Sequence, residues 1–393
     1  MKSDPVVILS ARRTPVGAFQ GAFATVSAPE LGAAAIKAAV ADSGVKASEV
    51  DEVIMGCVLS AGIGQAPARQ AALGAGLPTS TPSTTVNKMC GSAMRAVMQG
   101  ADQILAGNAQ VVVAGGIESM TNAPYLLPKA RAGHRMGHQE VLDHMFFDGL
   151  QSPWDGKLMG CFADATSEKY AFTRQAQDDF AAESVRRALV AVNEGAFKAE
   201  IAPVTAKSRK GEVVVDKDET PFTLDVAKIP TLKPAFKKDG TVTAASSSSI
   251  SDGAAAVVLA RESFAASRNL KPLARILGYT SFAREPEWFT LAPVGAIQKL
   301  LAQLQWSPKD VDLFEINEAF AAVPMAAMKD LSLEHAKVNV NGGACALGHP
   351  IGATGARILT TLIYALKARG KKRGIASLCI GGGEATAIAV ELM

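Results

Sequence analysis

Two stretches far apart in this chain read alike. S-E-V-D-E-V-I-M-G from Ser48 lines up with K-D-V-D-L-F-E-I-N from Lys309, and A-G-G at Ala114 lines up with I-G-G at Ile380. The offsets, 261 and 266 residues, nearly agree. An internal repeat of this period means one structural unit used twice, and it limits the possible folds more than composition does.

Each copy alternates strand-like and helix-like runs. In the first, 6–9 and 53–58 read as strands and the Ala-rich stretch 29–41 as a helix. From Cys90 onward, Met94, Val97, Met98, Ala101 and Leu105 recur at i, i+3, i+4 spacing, which predicts a helix burying that face. Residues 111–116 read as a buried strand ending in glycines. The second copy repeats the order: strand 272–279, helix 294–305, strand 311–316, then helix 352–369 with Ile358, Leu362, Ile363 and Leu366 on one face. Strand 375–383 closes it, again ending in glycines. The chain therefore reads as a duplicated α/β protein.

Between the copies, 121–244 is richer in Lys, Arg, His, Asp and Pro, with one clear helix at 174–193. It reads as an insertion crossing the surface of the first half, a natural place for ligand contacts. The serine run from Ser246 stands just before an apolar strand at 254–260, so it reads as an ordered loop rather than a linker. The predicted units are 1–120 with 245–270, the insertion 121–244, and 271–393.

Forty basic against 37 acidic side chains leave a net charge of +3, which argues against a dedicated nucleic-acid binder. No run approaches the roughly 20 apolar residues that span a bilayer. The five cysteines (57, 90, 161, 345, 379) are scattered, without a C-x-x-C pair, as in a reducing compartment. A soluble, cytoplasmic protein is expected.

Four places carry candidate chemistry. Cys90, in N-K-M-C-G-S, ends an extended segment where a helix opens, so N–H groups and the helix dipole are expected to favour its thiolate. A buried structural cysteine is the plain alternative. His349 stands among glycines in C-A-L-G-H-P-I-G and suits a general base; a solvated loop histidine is the alternative. Cys345-x-x-x-His349 lacks further ligands at metal spacing, so no metal is expected. Cys379 ends a buried strand before Gly381-Gly382-Gly383, whose bare N–H groups could stabilise an oxyanion. Asn317 and Glu318 end another strand, where Asn317 could hold a water or simply cap a helix. Cys, His, a second Cys and an Asn at strand and loop ends suit acyl transfer through a thioester.

These motifs together resemble the thiolase family over essentially the whole chain. They are N-K-M-C-G-S at 87–92, G-G-I-E-S-M-T-N-A-P-Y at 115–125, N-E-A-F at 317–320, N-G-G-A-C-A-L-G-H-P-I-G-A-T-G-A-R at 341–357 and C-I-G-G-G at 379–383. G-H-R-M-G-H at 133–138 with D-G-L at 148–150 resembles the acetyl-CoA acetyltransferase branch. The resemblance implies two βαβαβαββ halves in a five-layered αβαβα fold, with 121–244 as a loop domain over the coenzyme A site. It implies reversible condensation of two acetyl-CoA to acetoacetyl-CoA and CoA, with no cofactor beyond these thioesters. A thiolase for longer 3-ketoacyl-CoAs is the nearest rival. A ketoacyl-synthase-like enzyme and a non-enzymatic acyl-CoA carrier are more distant ones.

By the same resemblance, Cys90 would be the acylated nucleophile, His349 its base and Cys379 the acid/base for the second substrate. Asn317, through a water, and His349 would form one oxyanion hole, and the N–H groups of Cys90 and Gly381 the other. Leu150, Met159, Phe236, Ala244, Ser248 and Phe320 would contact CoA. The family pattern H-M-G reads Leu158-Met159-Gly160 here, and G-G-G-Q-G reads Gly381-Gly382-Gly383-Glu384-Ala385. A homotetramer or homodimer is expected from the family and from the apolar strand 111–114.

Overall fold

A computed structural model describes residues 4–208 and 211–393. The first half runs β1 (Val6–Arg13), α1 (Ala28–Ser43), β2 (Glu52–Gly56), α2 (Pro67–Gly74), β3 (Ser83–Val86), α3 (Ser92–Ala106), β4 (Val111–Ser119) and, after the insertion, β5 (Ser251–Arg261). The second runs β6 (Ala274–Ala283), α4 (Ala292–Leu304), β7 (Leu313–Ile316), α5 (Ala322–Leu331), α6 (Thr354–Ala368), β8 (Arg373–Ile380) and β9 (Glu384–Leu392).

The repeat is a repeat of topology. The first half-sheet is ordered β3-β2-β4-β5-β1 and the second β7-β8-β9-β6, with parallel and antiparallel pairs in the same places. Where the counterpart of β3 falls, Val338 makes a parallel bridge to Phe314. The half-sheets join where β1 meets β6, Val7 opposite Arg275 and Ile8 opposite Ala274.

Side-chain patterning stacks the layers. Leu31 and Ile36 of α1 pack with Val53 and Val113 on the outside of the first half-sheet, and Ile297 and Leu300 of α4 with Phe314 and Ile375 outside the second. Between the sheets α3 and α6 face each other, Met94 and Val97 among Ile358, Leu362 and Ile363. Such a full burial is worth roughly 1.5–3 kcal/mol per side chain. The central position buries α6 nearly all round rather than on the one predicted face. In α3 the buried residue near the C-terminus is Ile104, whereas Leu105 is 51% exposed.

Two predicted strand features change. β4 does not stop at its glycines but continues to Ser119. A Cβ on Gly116 would lie 2.0 Å from the Gly352 oxygen, so the glycine lets the loop after His349 close onto the sheet. Strand 111–114 is also no assembly surface: β2 and β5 flank it, and its side chains are buried.

The insertion holds two substantial helices, Met159–Tyr170 and the expected Arg174–Asn193, and a ribbon from Val204–Ser208 and Gly211–Val215. Buried Arg13 of β1 ties it down. Its guanidinium meets Glu200 at 2.5 Å and Asp218 at 2.6 and 2.9 Å, and Thr361 of α6 donates to Glu200 at 3.0 Å. Arg13→Ala leaves two carboxylates unpaired in the interior and is expected to cost about 3–5 kcal/mol, read as a lower urea midpoint. An unchanged midpoint would mean the insertion is held by other contacts.

Candidate active site

β3 delivers Asn87–Cys90 in extended form, and a tight turn then starts α3. Gly91 N–H donates to the Lys88 carbonyl and Ser92 N–H to the Met89 carbonyl, both at 3.0 Å. The Ser92 hydroxyl donates to the Met89 carbonyl at 2.6 Å and accepts from Lys88 N–H at 2.8 Å. Met89 is held at φ 47°, a left-handed conformation costing of order 1–3 kcal/mol for such a residue. Those bonds fix it. Gly91 is required by packing, since a Cβ there would meet Ile380 Cδ1 at 2.3 Å.

Cys90 keeps some exposure, and the N–H groups of Gly381 and of Cys90 itself face its sulfur. Loss of water around the sulfur nevertheless dominates and pushes the thiol up to about 11. The expected thiolate is therefore not the resting form, because burial outweighs the N–H groups that face the sulfur. A measurable consequence follows for the free protein. Alkylation of Cys90 by iodoacetamide, scored against Cys90→Ala, should speed up about tenfold per pH unit between neutrality and pH 10. A rate flat over that range would mean a preformed thiolate.

His349 is buried, and its Nδ1 lies 2.6 Å from Thr354 Oγ1. Burial, then the Arg357 cation, hold its pKa down to about 3, so the imidazole is neutral. Its Nε2 meets Asn317 Nδ2 at 3.4 Å, and Asn317 Oδ1 accepts from Arg357 at 3.5 Å. Asn317 caps no helix, since α5 begins only at Ala322. Cys379, fully buried near the end of β8, has its thiol pushed well above the ordinary value by burial and then by the neighbouring Cys90 sulfur.

In front of these groups lies a cleft of about 580 Å³. All six positions expected to contact CoA line it: Leu150, Met159, Phe236, Ala244, Ser248 and Phe320. His349 and Leu158 line it too. Cys90 packs with Met120, Leu150, Ile250 and Ile351, which belong to the wall, while Asn317 and Cys379 lie buried behind it. The serine run is ordered: Ser248 N–H donates to Ala319 O at 3.0 Å, and Ser249 O accepts from His349 N–H at 3.2 Å. Glu384 ion-pairs with Lys88, joining the two glycine-bearing turns.

Four supporting side chains escaped the sequence reading. Thr354 and Arg357 contact His349 and Asn317 directly. Glu315, whose carboxyl burial raises to about 8, pairs with Arg357 at 3.2 Å. Glu118 accepts from the N–H groups of Val58, Leu59 and Gly352 at 3.2, 3.1 and 2.8 Å, pinning the loop after His349 to the first half. Only its place in G-G-I-E-S hinted at a role. Glu318, next to Asn317, accepts from Ser184 at 2.7 Å and from Asn339 at 2.8 Å, so it braces the insertion.

A duplicated α/β core that gathers a thiol, a histidine and a second thiol about an apolar cleft fits the class of acyltransferases. The chain belongs to the thiolase family: the models "Thiolase, N-terminal domain" and "Thiolase, C-terminal domain" match residues 6–263 and 270–392. It is 50% identical over 389 residues to an acetyl-CoA acetyltransferase of Cupriavidus necator, covering 98% of this chain and 99% of that one. The Escherichia coli acetyl-CoA acetyltransferase is 49% identical, with 98% of each chain covered. Among solved structures, Acat5 thiolase from Ascaris suum in complex with coenzyme A superposes with a TM-score of 0.94 at 43% identity, covering 99% of this chain and 100% of that one. The Bacillus anthracis acetyl-CoA acetyltransferase gives 0.97 at 44%, with 99% of each covered.

Proposed function

We propose that this chain is an acetyl-CoA C-acetyltransferase that joins two acetyl-CoA into acetoacetyl-CoA and CoA, or runs the reverse thiolysis. The observation that carries the reading is a cleft walled by His349 and by all six positions expected to touch CoA, with Cys90 packed against its wall and Cys379 buried close to the Cys90 sulfur. In the forward direction the Cys90 sulfur attacks the thioester carbonyl and gives its proton to His349 Nε2. The CoA sulfur leaves with that proton. Cys379 passes its own proton to the freed His349 Nε2, and its thiolate then takes a proton from the methyl carbon of a second acetyl-CoA. The resulting carbanion attacks the acyl-cysteine, and the Cys90 sulfur departs and recovers the proton held by His349. The N–H groups of Cys90 and Gly381 would stabilise one oxyanion, and Asn317 with His349, through a water, the other.

The same reading makes residues 1–120 with 245–270 one half, 271–393 the other and 121–244 the cover over CoA. It takes the protein as a dimer or tetramer; among the described residues no strand pairs with the outer edge of β3, which suits strand addition between copies. No helix among the described residues is long and apolar enough to cross a membrane, in keeping with a cytoplasmic enzyme.

A second reading, a thiolase for longer 3-ketoacyl-CoAs, is favoured by Leu158, an apolar side chain in the cleft wall where the family pattern has His. CoA-dependent cleavage of acetoacetyl-CoA against a 3-ketoacyl-CoA of intermediate length decides between them. The acetyltransferase reading expects the shorter substrate to have the higher kcat/KM. It also expects Leu158→His to move that ratio further the same way, by roughly 10-fold, as a gained polar contact would. Preference for the longer substrate would install the second reading, and cleavage of neither would remove both.

A further inference from the structure

The buried polar atoms behind the cleft form a chain of donors and acceptors with one direction. Arg357 has only protons to give. It meets Glu315 Oε1 at 3.2 Å and Asn317 Oδ1 at 3.5 Å. That contact turns the Asn317 amide so that its NH2 faces His349 Nε2 at 3.4 Å. Nε2 must then accept, because an N–H there would set donor against donor. A neutral imidazole with a bare Nε2 carries its proton on Nδ1, which donates to Thr354 Oγ1 at 2.6 Å. The Thr354 hydroxyl has one proton of its own, and it goes to the Pro350 carbonyl at 2.8 Å. The opposite tautomer would need that same proton for Nδ1 and would also clash with the amide.

We propose that Arg357 and Thr354 are positioning residues that fix His349 as its Nδ1–H tautomer and keep Nε2 unprotonated, able to exchange its Asn317 contact for the Cys90 proton. Neither lines the cleft, and both are buried, so they act through His349 and Asn317 rather than on substrate. The inference rests on the reading of His349 as the base. Arg357 has a second effect: its cation weakens the hold of the imidazole on a proton it has taken, so His349 hands it on rather than keeping it.

The test uses the full-length enzyme with Thr354→Val and Thr354→Ser, and nitrogen NMR of protein labelled with 15N-histidine. There are five histidines, and the His349→Asn variant assigns the signal. In the wild type at neutral pH, Nδ1 should report as protonated and Nε2 as bare. Thr354→Val should mix the tautomers and lower kcat for thiolysis roughly 10- to 100-fold, part of what a positioned proton-transfer group supplies, with KM changed less than threefold. Thr354→Ser should restore both readouts. Wild-type protein with its proton on Nε2 would overturn the proposal even if no variant folds. So would Thr354→Val with normal kcat, or equal losses in the Val and Ser variants, which would indicate packing alone. If His349→Asn kept its turnover, the base reading itself would fall. His349→Asn inactive beside a fully active Thr354→Val would remove only the tautomer assignment.

Discussion

Cys90→Ala is expected to lower acyl transfer by roughly 10⁴-fold or more in both directions while leaving CoA binding within about threefold of the parent. The two halves of that expectation come from different parts of the site. Covalent transfer needs a sulfur at one place, the turn that Met89, Gly91 and Ser92 build, and no other side chain can take its position: Cys379 is fully buried behind the wall. The cleft that would hold the pantetheine arm is lined by Met159, Phe236, Ser248 and Phe320, none of which packs in the cluster around Cys90. Folding should also survive, since Cys90 is only partly buried and loses one small side chain. The assay is steady-state thiolysis of acetoacetyl-CoA, with CoA binding followed by calorimetry on the same preparation. Turnover within tenfold of the parent would show that the thiol is not the nucleophile. Binding lost together with turnover would place Cys90 in the CoA site rather than in the chemistry.

The fold was legible because its repeat is written locally. Ser48–Gly56 and Lys309–Asn317 differ in sequence but set the same apolar run into the same place in each half-sheet, β2 and β7. What failed to show was whatever depends on the second half approaching the first. Strand 111–114 is apolar enough to suggest an outer surface, yet it is the middle of a half-sheet. Gly115 and Gly116 look like a strand end until Ala255 of β5 is seen to press on the first and Gly352, in the loop after His349, on the second. Helix 352–369 looks amphipathic until both half-sheets close around it. In the site, Cys90, His349, Cys379 and Asn317 were named because each stands at a motif with an unusual local shape. Arg357, Thr354 and Glu315 were missed because an arginine or threonine in a helix, or a glutamate in a strand, is unremarked unless its partner is known. Those partners lie up to 42 residues away along the chain. The thiolate expectation failed for a related reason: the dipole of α3 is a local property, whereas desolvation of the sulfur belongs to the assembled cleft.

Cys379→Ser should divide the reaction where Cys90→Ala abolishes it. If Cys379 serves only the second substrate, acetyl-CoA will still acetylate Cys90 in this variant, visible as one added acetyl group in the intact-protein mass. Condensation and thiolysis, by contrast, should fall by about 10³-fold. The physical ground is acidity at nearly constant shape. Serine is slightly smaller than cysteine and can occupy the buried site at the end of β8, but a hydroxyl is a far weaker acid than a thiol. Burial and the neighbouring Cys90 sulfur already raise the Cys379 thiol well above its ordinary value. That makes its thiolate a strong base when formed, suited to removing a proton from carbon, and the alkoxide of serine would be too costly to form at the same place. On the proposed mechanism acylation does not call on it, because the Cys90 proton has His349 Nε2 as its acceptor. A variant that turns over within tenfold of the parent would mean another group moves that proton. A variant that no longer acetylates Cys90 would mean that the two sulfurs act together from the first step, and the division of labour between them would have to be redrawn.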